Sequence, residues 1–394
     1  MKFLILNTDY PEYLAWLYAR YPGLEDSSYD EQMRARMDHC CGIADFYSAN
    51  LRLLGHEAYD VHFNNEHLQS QWARENWAEG KTGLRRSWGL GRALRTLMTA
   101  ARKTPLRRLG PLMPPSVRSL GRHEAWLYEI LGAQIRKMKP DVLLNQAMDG
   151  ISSSFLREMK PYVWLLVGQI ASPLPPDPDF RGYDLVISSL PNFVEYFRSL
   201  GLASEYHRLG FEPRVLEHLR PGERTTPVTF VGSVSPWHKS RLALLEHLCS
   251  RFDIQIWGTG AEVLAPGSPI RRRYMGHAWG IEMYEVLRDS KITINQHIDV
   301  SGPYANNMRL YEATGVGTLL VTDHKQNLAD LFAPGEEVAA YRTPEECAEL
   351  VSYYLEHDEE RERIARAGQE RTLRDHTYQR RMQELVEIVG KYLR

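Results

Sequence analysis

Cysteine is scarce and scattered. The chain has four, Cys40, Cys41, Cys249 and Cys347, with neither a metal-binding spacing nor the density of a disulfide framework. A reducing, cytoplasmic setting is the expectation. Long apolar runs are missing too. The longest, around YVWLLVGQIA, is far short of the ~20 residues that cross a bilayer. The opening KFLILNTDY is a strand and a turn, without the basic–apolar–small order of a secretory leader. Neither sign of charge dominates: a net charge of -2 excludes a strongly charged partner for the chain as a whole. Repeats and low-complexity tracts are absent. What remains is the composition of a globular protein, and 394 residues suffice for two domains of ordinary size.

One stretch breaks the charge balance. Between Lys81 and Arg122 there are eleven Lys and Arg and no Asp or Glu. Trp88, Leu90, Leu94, Leu97 and Met98 are interleaved at helical spacing, and Pro105, Pro111, Pro114 and Pro115 interrupt it. A basic helix with Trp and Leu on one side suits an anionic membrane surface, so residues 85–108 are a candidate for peripheral contact with the inner face of a membrane. The competing reading is a solvated insertion whose arginines pair with acids elsewhere. No nucleic-acid motif accompanies the charge, and no nucleic-acid partner is expected.

Around that insertion, strands and helices alternate, which calls for parallel sheets. Residues 1–218 read as a first Rossmann-like domain. Asn7, Thr8 and Asp9 fall at the carboxyl end of its first strand, where open sheets of this kind bind ligands. Asn145, Gln146, Asp149, Gln169 and Ser172 fall at other carboxyl ends. Asp9, Asn65 and Gln169 are the candidates for contact with an acceptor, although Asn65 equally fits a helix cap. Asp149 is the candidate base for deprotonating a hydroxyl, and it equally fits the N-cap of the helix that follows. Asp177 and Asp179 have a metal-like spacing but sit in a proline-rich connection, and no metal site is expected.

A polar, proline-flanked stretch, 212–227, is the expected hinge. Residues 226–375 read as a second Rossmann-like domain, organised around ITINQHIDVSGPYANNMRLYEATGVGTLLVTD, Ile292–Asp323. This is strand, loop, short helix, glycine turn, strand. Asn306 or Asn307 caps the helix, and Gly315 ends it as a residue able to take positive φ. A helix N-terminus beside a first-turn arginine, Arg309, suits a diphosphate. Glu312, one turn on and on the same face, suits two ribose hydroxyls. The alternative is a plain i,i+3 ion pair. Ser233 follows the first strand of this half. Trp257 opens a glycine turn that lets backbone approach a ligand. His297 lies beyond the strand ITIN, pointing toward the same crevice.

The order N-x-R-x-Y-E-A-x-G-x-G before a hydrophobic strand resembles the C-terminal half of GT-B glycosyltransferases, nearest to the CgeB-like group. The tail from Leu328 shares that layout. The resemblance implies two Rossmann-like domains facing a cleft and a final helix, within 376–394, crossing back to the first. It implies a nucleotide-sugar donor on the second domain and a carbohydrate or lipid-linked acceptor on the first. By resemblance, Lys239 and Arg241 are the basic residues for the diphosphate. Backbone from Gly276 to Ile281 borders the base, and Glu312 is the second glutamate of an E-x7-E pair. Tyr304 stands where the first belongs. Asn307 and Arg309 complete the donor set, and Asp149, His297 and Arg309 the catalytic one. The expectation is metal-independent sugar transfer, with retention of configuration favoured and no cofactor beyond the donor substrate. The rival readings are a nucleotide-sugar epimerase and a non-catalytic scaffold that binds nucleotide and membrane.

Overall fold

The computed structural model describes residues 1–77, 121–174, 179–220, 222–235 and 238–393. The membrane reading of 85–108 and the carboxylate of Asp177 lie outside the described residues.

Short runs of branched and aliphatic residues, buried on both faces, build two sheets. The first contains β1 (Lys2–Asn7), β2 (Glu57–His62), β3 (Val142–Asn145), β4 (Leu165–Gln169), β5 (Leu185–Ser188) and β6 (Ser204–Tyr206), in the order β2-β1-β3-β4-β5-β6. The second contains β7 (Thr226–Val231), β8 (Ile254–Trp257), β9 (Tyr274–Gly276), β10 (Ser290–Asn295), β11 (Leu319–Asp323) and β12 (Ala339–Tyr341), in the order β12-β11-β10-β7-β8-β9. Every neighbouring pair is parallel. The strand order reverses between β1 and β3 in one sheet and between β7 and β10 in the other. A crevice opens at such a point because the flanking connections leave in opposite directions.

The last long helix, Tyr378–Gly390, returns to the first half and packs on the helix Phe46–Leu53. Its Tyr378 ring stands 5.3 Å from Phe46 and 5.6 Å from Tyr47. The backbone is stitched at the same place: Phe211 N–H donates to His376 O and Tyr378 N–H donates to Phe211 O, both at 2.8 Å. One buried cluster draws residues from both sheets, Phe3 and Ile187 together with Val231 and Leu320. The two halves therefore share a core. Among the described residues no helix is long and apolar enough to cross a membrane.

Two local expectations change. The sequence from Ser28 to Leu54 has a helical pattern throughout, yet it forms two helices, Tyr29–Asp38 and Phe46–Leu53. Positive φ at Cys40, Gly42 and Ala44 breaks it. Gly315 is the last residue of its helix and does not take positive φ; Gly317 does, at 77°. Gly315 is needed for another reason, since a Cβ there would meet the Phe211 ring at 2.5 Å.

Candidate functional site

The switch point of the second sheet gathers most of the donor candidates. Asn307 Oδ1 accepts from Leu310 N–H at 3.1 Å, capping the short helix Arg309–Gly315. Its amide donates to Asn295 Oδ1 at 2.8 Å, and the Asn295 amide donates to Thr322 Oγ1 at 2.9 Å. This chain ties the cap to the ends of β10 and β11. Arg309 Nε donates to Val231 O, the last residue of β7, at 3.2 Å. Its guanidinium also pairs with Glu312, Nη1 to Oε2, at 2.8 Å. The i,i+3 pair is thus real, and it is buried rather than a surface pair: the two side chains are 13% and 6% exposed. Burial raises the Glu312 pKa, and the neighbouring Arg309 opposes the rise.

His297 Nδ1 lies 2.6 Å from Asp323 Oδ1, which also accepts the His297 backbone N–H at 3.0 Å. Asp323 is the last residue of β11. Burial pushes its carboxyl up, but the bonds from His297 and the charge of Lys325 outweigh it, and the pKa is lowered. The carboxylate fixes hydrogen on Nδ1. Nε2 is buried without a partner among the described residues.

Arg241 is a correction. Its guanidinium is not free for a phosphate: Nη1 donates to Ser233 O at 2.9 Å and Nη2 to Gln296 O at 2.8 Å. It clamps the loops after β7 and β10 together, over the Phe230 ring. Trp257 is another. Its indole packs against the shared core. The glycine turn after it meets protein backbone, not an open site. A Cβ on Gly258 would stand 2.1 Å from Gly232 O, and Val234 N–H donates to Thr259 O at 2.8 Å. Ser233 is half-buried beside this seam, and Lys239 stands exposed at the start of the helix Lys239–Cys249. Gly276 has open space around its Cα, and its carbonyl accepts from Gly258 N–H at 2.9 Å.

In the first half, two acceptor candidates are occupied by their own fold. Asp9 Oδ1 accepts from Arg36 Nε and Nη2 at 3.2 and 2.7 Å, and His62 Nδ1 lies 3.1 Å from Oδ2. Burial alone would raise this carboxyl, but Arg36 and His62 hold it well below the usual range. Asn65 is buried and accepts from Leu68 N–H at 3.2 Å and from the Tyr18 hydroxyl at 2.9 Å, so it is a helix cap. Gln169, half-buried at the end of β4, donates to Tyr47 Oη and accepts from the Gln146 amide, each at 2.8 Å.

Asp149 is different. It is exposed in the turn after β3 and forms no hydrogen bond or ion pair among the described residues. It is not a cap, because the next helix begins at Ser153 with Ser152 before it. Tyr10, three residues beyond β1 and just before the helix Pro11–Arg20, shares this switch point. The protein around its phenol raises the pKa, and so do nearby negative groups, Asp149 and Glu312 among them. The loop after β9 closes the approach: Trp279 packs among Tyr13, Leu17 and Trp16 of the first half. Val300 and Tyr304 pack against the first half's other core. The two switch points therefore face one crevice.

Sequence reasoning missed Tyr10 and Asp323 as residues of this crevice, and it read the loop of Trp279 only for its backbone. Their signal is spatial, a meeting of segments far apart in the chain. Among the described residues no group of three His, Cys, Asp or Glu is placed to hold a metal ion.

A family model described as glycosyl transferase-like matches residues 239–387. No curated protein matches the chain. Solved structures do. HepE of Anabaena, in complex with UDP and glucose, is 14% identical over 99% of this chain and 100% of that one, with a TM-score of 0.56. A glycosyltransferase from Rickettsia africae is 11% identical over 100% and 99%, also with a TM-score of 0.56. Sucrose-phosphate synthase from Thermosynechococcus elongatus is 12% identical over 67% and 77%, with a TM-score of 0.51. The chain has the GT-B fold: two six-stranded parallel sheets with their helices, facing one crevice.

Proposed function

We propose that this protein is a glycosyltransferase that moves a sugar from a nucleotide-diphosphate donor to an acceptor hydroxyl. The observation that carries the reading is the crevice itself. A buried, mutually paired Arg309 and Glu312 lie on its second-half side, and a free carboxylate, Asp149, lies on the other. The family match over 239–387 and the UDP and glucose complex of HepE support placing the donor on the second half.

In this reading Arg309, helped by Lys239, offsets the charge of the departing diphosphate. Such groups act strongly because the site is preorganised and partly closed to water. Glu312 accepts from ribose hydroxyls, and His297 meets the donor sugar. Tyr304 occupies the place of the first glutamate of an E-x7-E pair, so the sugar loses that contact here. Asp149 receives the acceptor hydroxyl. No divalent ion is needed, and retention of configuration is favoured by the resemblance at Glu312. Residues 85–108 bring the enzyme to an anionic membrane, the expected source of a lipid-linked acceptor.

Calorimetric titration with UDP, with and without EDTA, tests the donor half. The expected result is binding that EDTA leaves unchanged. Absence of UDP binding, repeated with GDP, dTDP and CMP, would remove the basis of the reading. Co-sedimentation with phosphatidylserine vesicles tests the membrane part, and equal binding after neutralising the charges of 85–108 would end it.

A further inference from the structure

Tyr10 and Trp279 come from opposite halves of the chain, and their rings lie 6.2 Å apart, tilted by 31°. Trp279 is held in place from behind. Tyr13 lies 5.8 Å from it, and the His277 ring is stacked on it at 5.5 Å and 8°. Tyr10 itself is 68% exposed, and its loop touches the one that carries Asp149, since β1 and β3 are neighbours and a Cβ on Gly150 would stand 3.3 Å from Thr8 Cγ2. An exposed tyrosine alone means little. Here it is one of two rings that meet across a crevice, near a carboxylate with no hydrogen-bond or ion-pair partner among the described residues.

From this geometry we infer that Tyr10 and Trp279 form an aromatic platform for the ring of a pyranoside acceptor, whose hydroxyls Asp149 receives. The inference rests on the proposed transferase reading and adds the acceptor's chemical class. A pyranose has an apolar C–H face and a rim of hydroxyls. The first matches an aromatic ring, and the second matches an unpaired carboxylate. Small-molecule sites commonly combine apolar walls with a few convergent polar groups. A phosphate-bearing or purely lipidic group fits worse. The side chain on the neighbouring loop, Asp149, is a carboxylate, and the apolar surface is a ring pair rather than a channel. The platform also has a consequence for order. Because each half supplies one ring, it exists only while the halves are together.

A flat nucleobase has a face of the same kind, and the test separates the two. Saturation-transfer NMR on the full chain, saturated with UDP, would be run with the methyl α- and β-pyranosides of glucose, galactose and mannose. At least one glycoside should bind. Tyr10→Ala should weaken it about tenfold while UDP affinity holds, and Tyr10→Phe should keep it. A glycoside signal that survives Tyr10→Ala overturns the inference. So does its loss in Tyr10→Phe, which would assign the contact to the hydroxyl. Parallel loss of UDP in Tyr10→Ala overturns it in favour of the nucleobase. UDP binding with no glycoside signal in the wild type also overturns it and leaves the transferase reading standing. Failure of UDP to bind removes both.

Discussion

Gly280 presses on His39. A Cβ added to Gly280 would stand 1.8 Å from the His39 carbonyl oxygen, and the same oxygen accepts Ile281 N–H at 2.9 Å. The contact joins the loop after β9 to the break between two helices of the first half. Gly280 also takes a φ of 55°, which disfavours any side chain. Gly280→Ala should therefore loosen the two halves. The expected cost is about 1–3 kcal/mol in denaturant unfolding, with a larger radius of gyration in small-angle scattering. An unchanged radius would show that the contact does not hold the halves.

Gly315 and Phe211 make the second close approach. Gly315→Ala should cost about 1–3 kcal/mol, since the ring has the shared core behind it. Phe211→Leu in the same chain should recover part of that loss. Strict additivity of the two changes in a double-mutant cycle would mean that ring and glycine do not interact.

Arg241 should behave as a loop clamp. Its two bonds go to carbonyls on different loops, and a charge-assisted bond contributes about 1.5–3 kcal/mol. Arg241→Ala should raise the donor KM and lower stability together. Arg241→Lys should rescue little, because one ammonium cannot reproduce the fork. Full rescue by Lys would point instead to a simple charge effect at the diphosphate.

Asp60 gives a pH prediction. Burial pushes its carboxyl up to about 7, against the bond from Ser48 and the charge of Arg52, and with the charge of Asp45. The folded state then binds a proton that the unfolded state releases at lower pH. Stability from this group is full below the unfolded value near 4 and is lost as pH rises through about 7. Asp60→Asn should flatten that part of the stability curve between pH 5 and 8, with thermal melts as the readout. Identical slopes in both proteins would contradict the assignment.

Much of the fold was legible because its signals are local. Apolar runs such as FLIL and ITIN mark buried strands whatever surrounds them, and Ser28 with Glu31 marks a helix start that forms a full capping box. The Arg309–Glu312 pair and the Asn307 cap were legible for the same reason, being near neighbours in one helix turn. The surroundings of Asp9 were not legible because its partners lie far along the chain, whereas Asn65 forms the local helix cap that its position also suggested. Nothing in the sequence says that Arg36 and His62 close on Asp9, or that Tyr18 donates to Asn65. Tyr10 and the side chain of Trp279 were missed for the converse reason, since their meaning arises only when the halves meet. Arg241 was read from its position in a helix turn, and position does not reveal which carbonyls fold toward it.

The central claim is that a nucleotide-sugar donor is activated beside the buried Arg309–Glu312 pair. The most direct test is nucleotide release from a panel of UDP-, GDP-, dTDP- and CMP-sugars, without acceptor, in the wild type, Arg309→Ala and Glu312→Ala. Folding of each variant is checked by thermal melting, because removing one partner of a buried pair can itself cost about 3–5 kcal/mol. Slow release from one donor, lost in both folded variants, is the predicted result. Release that persists in both folded variants, or no release from any donor, would contradict it.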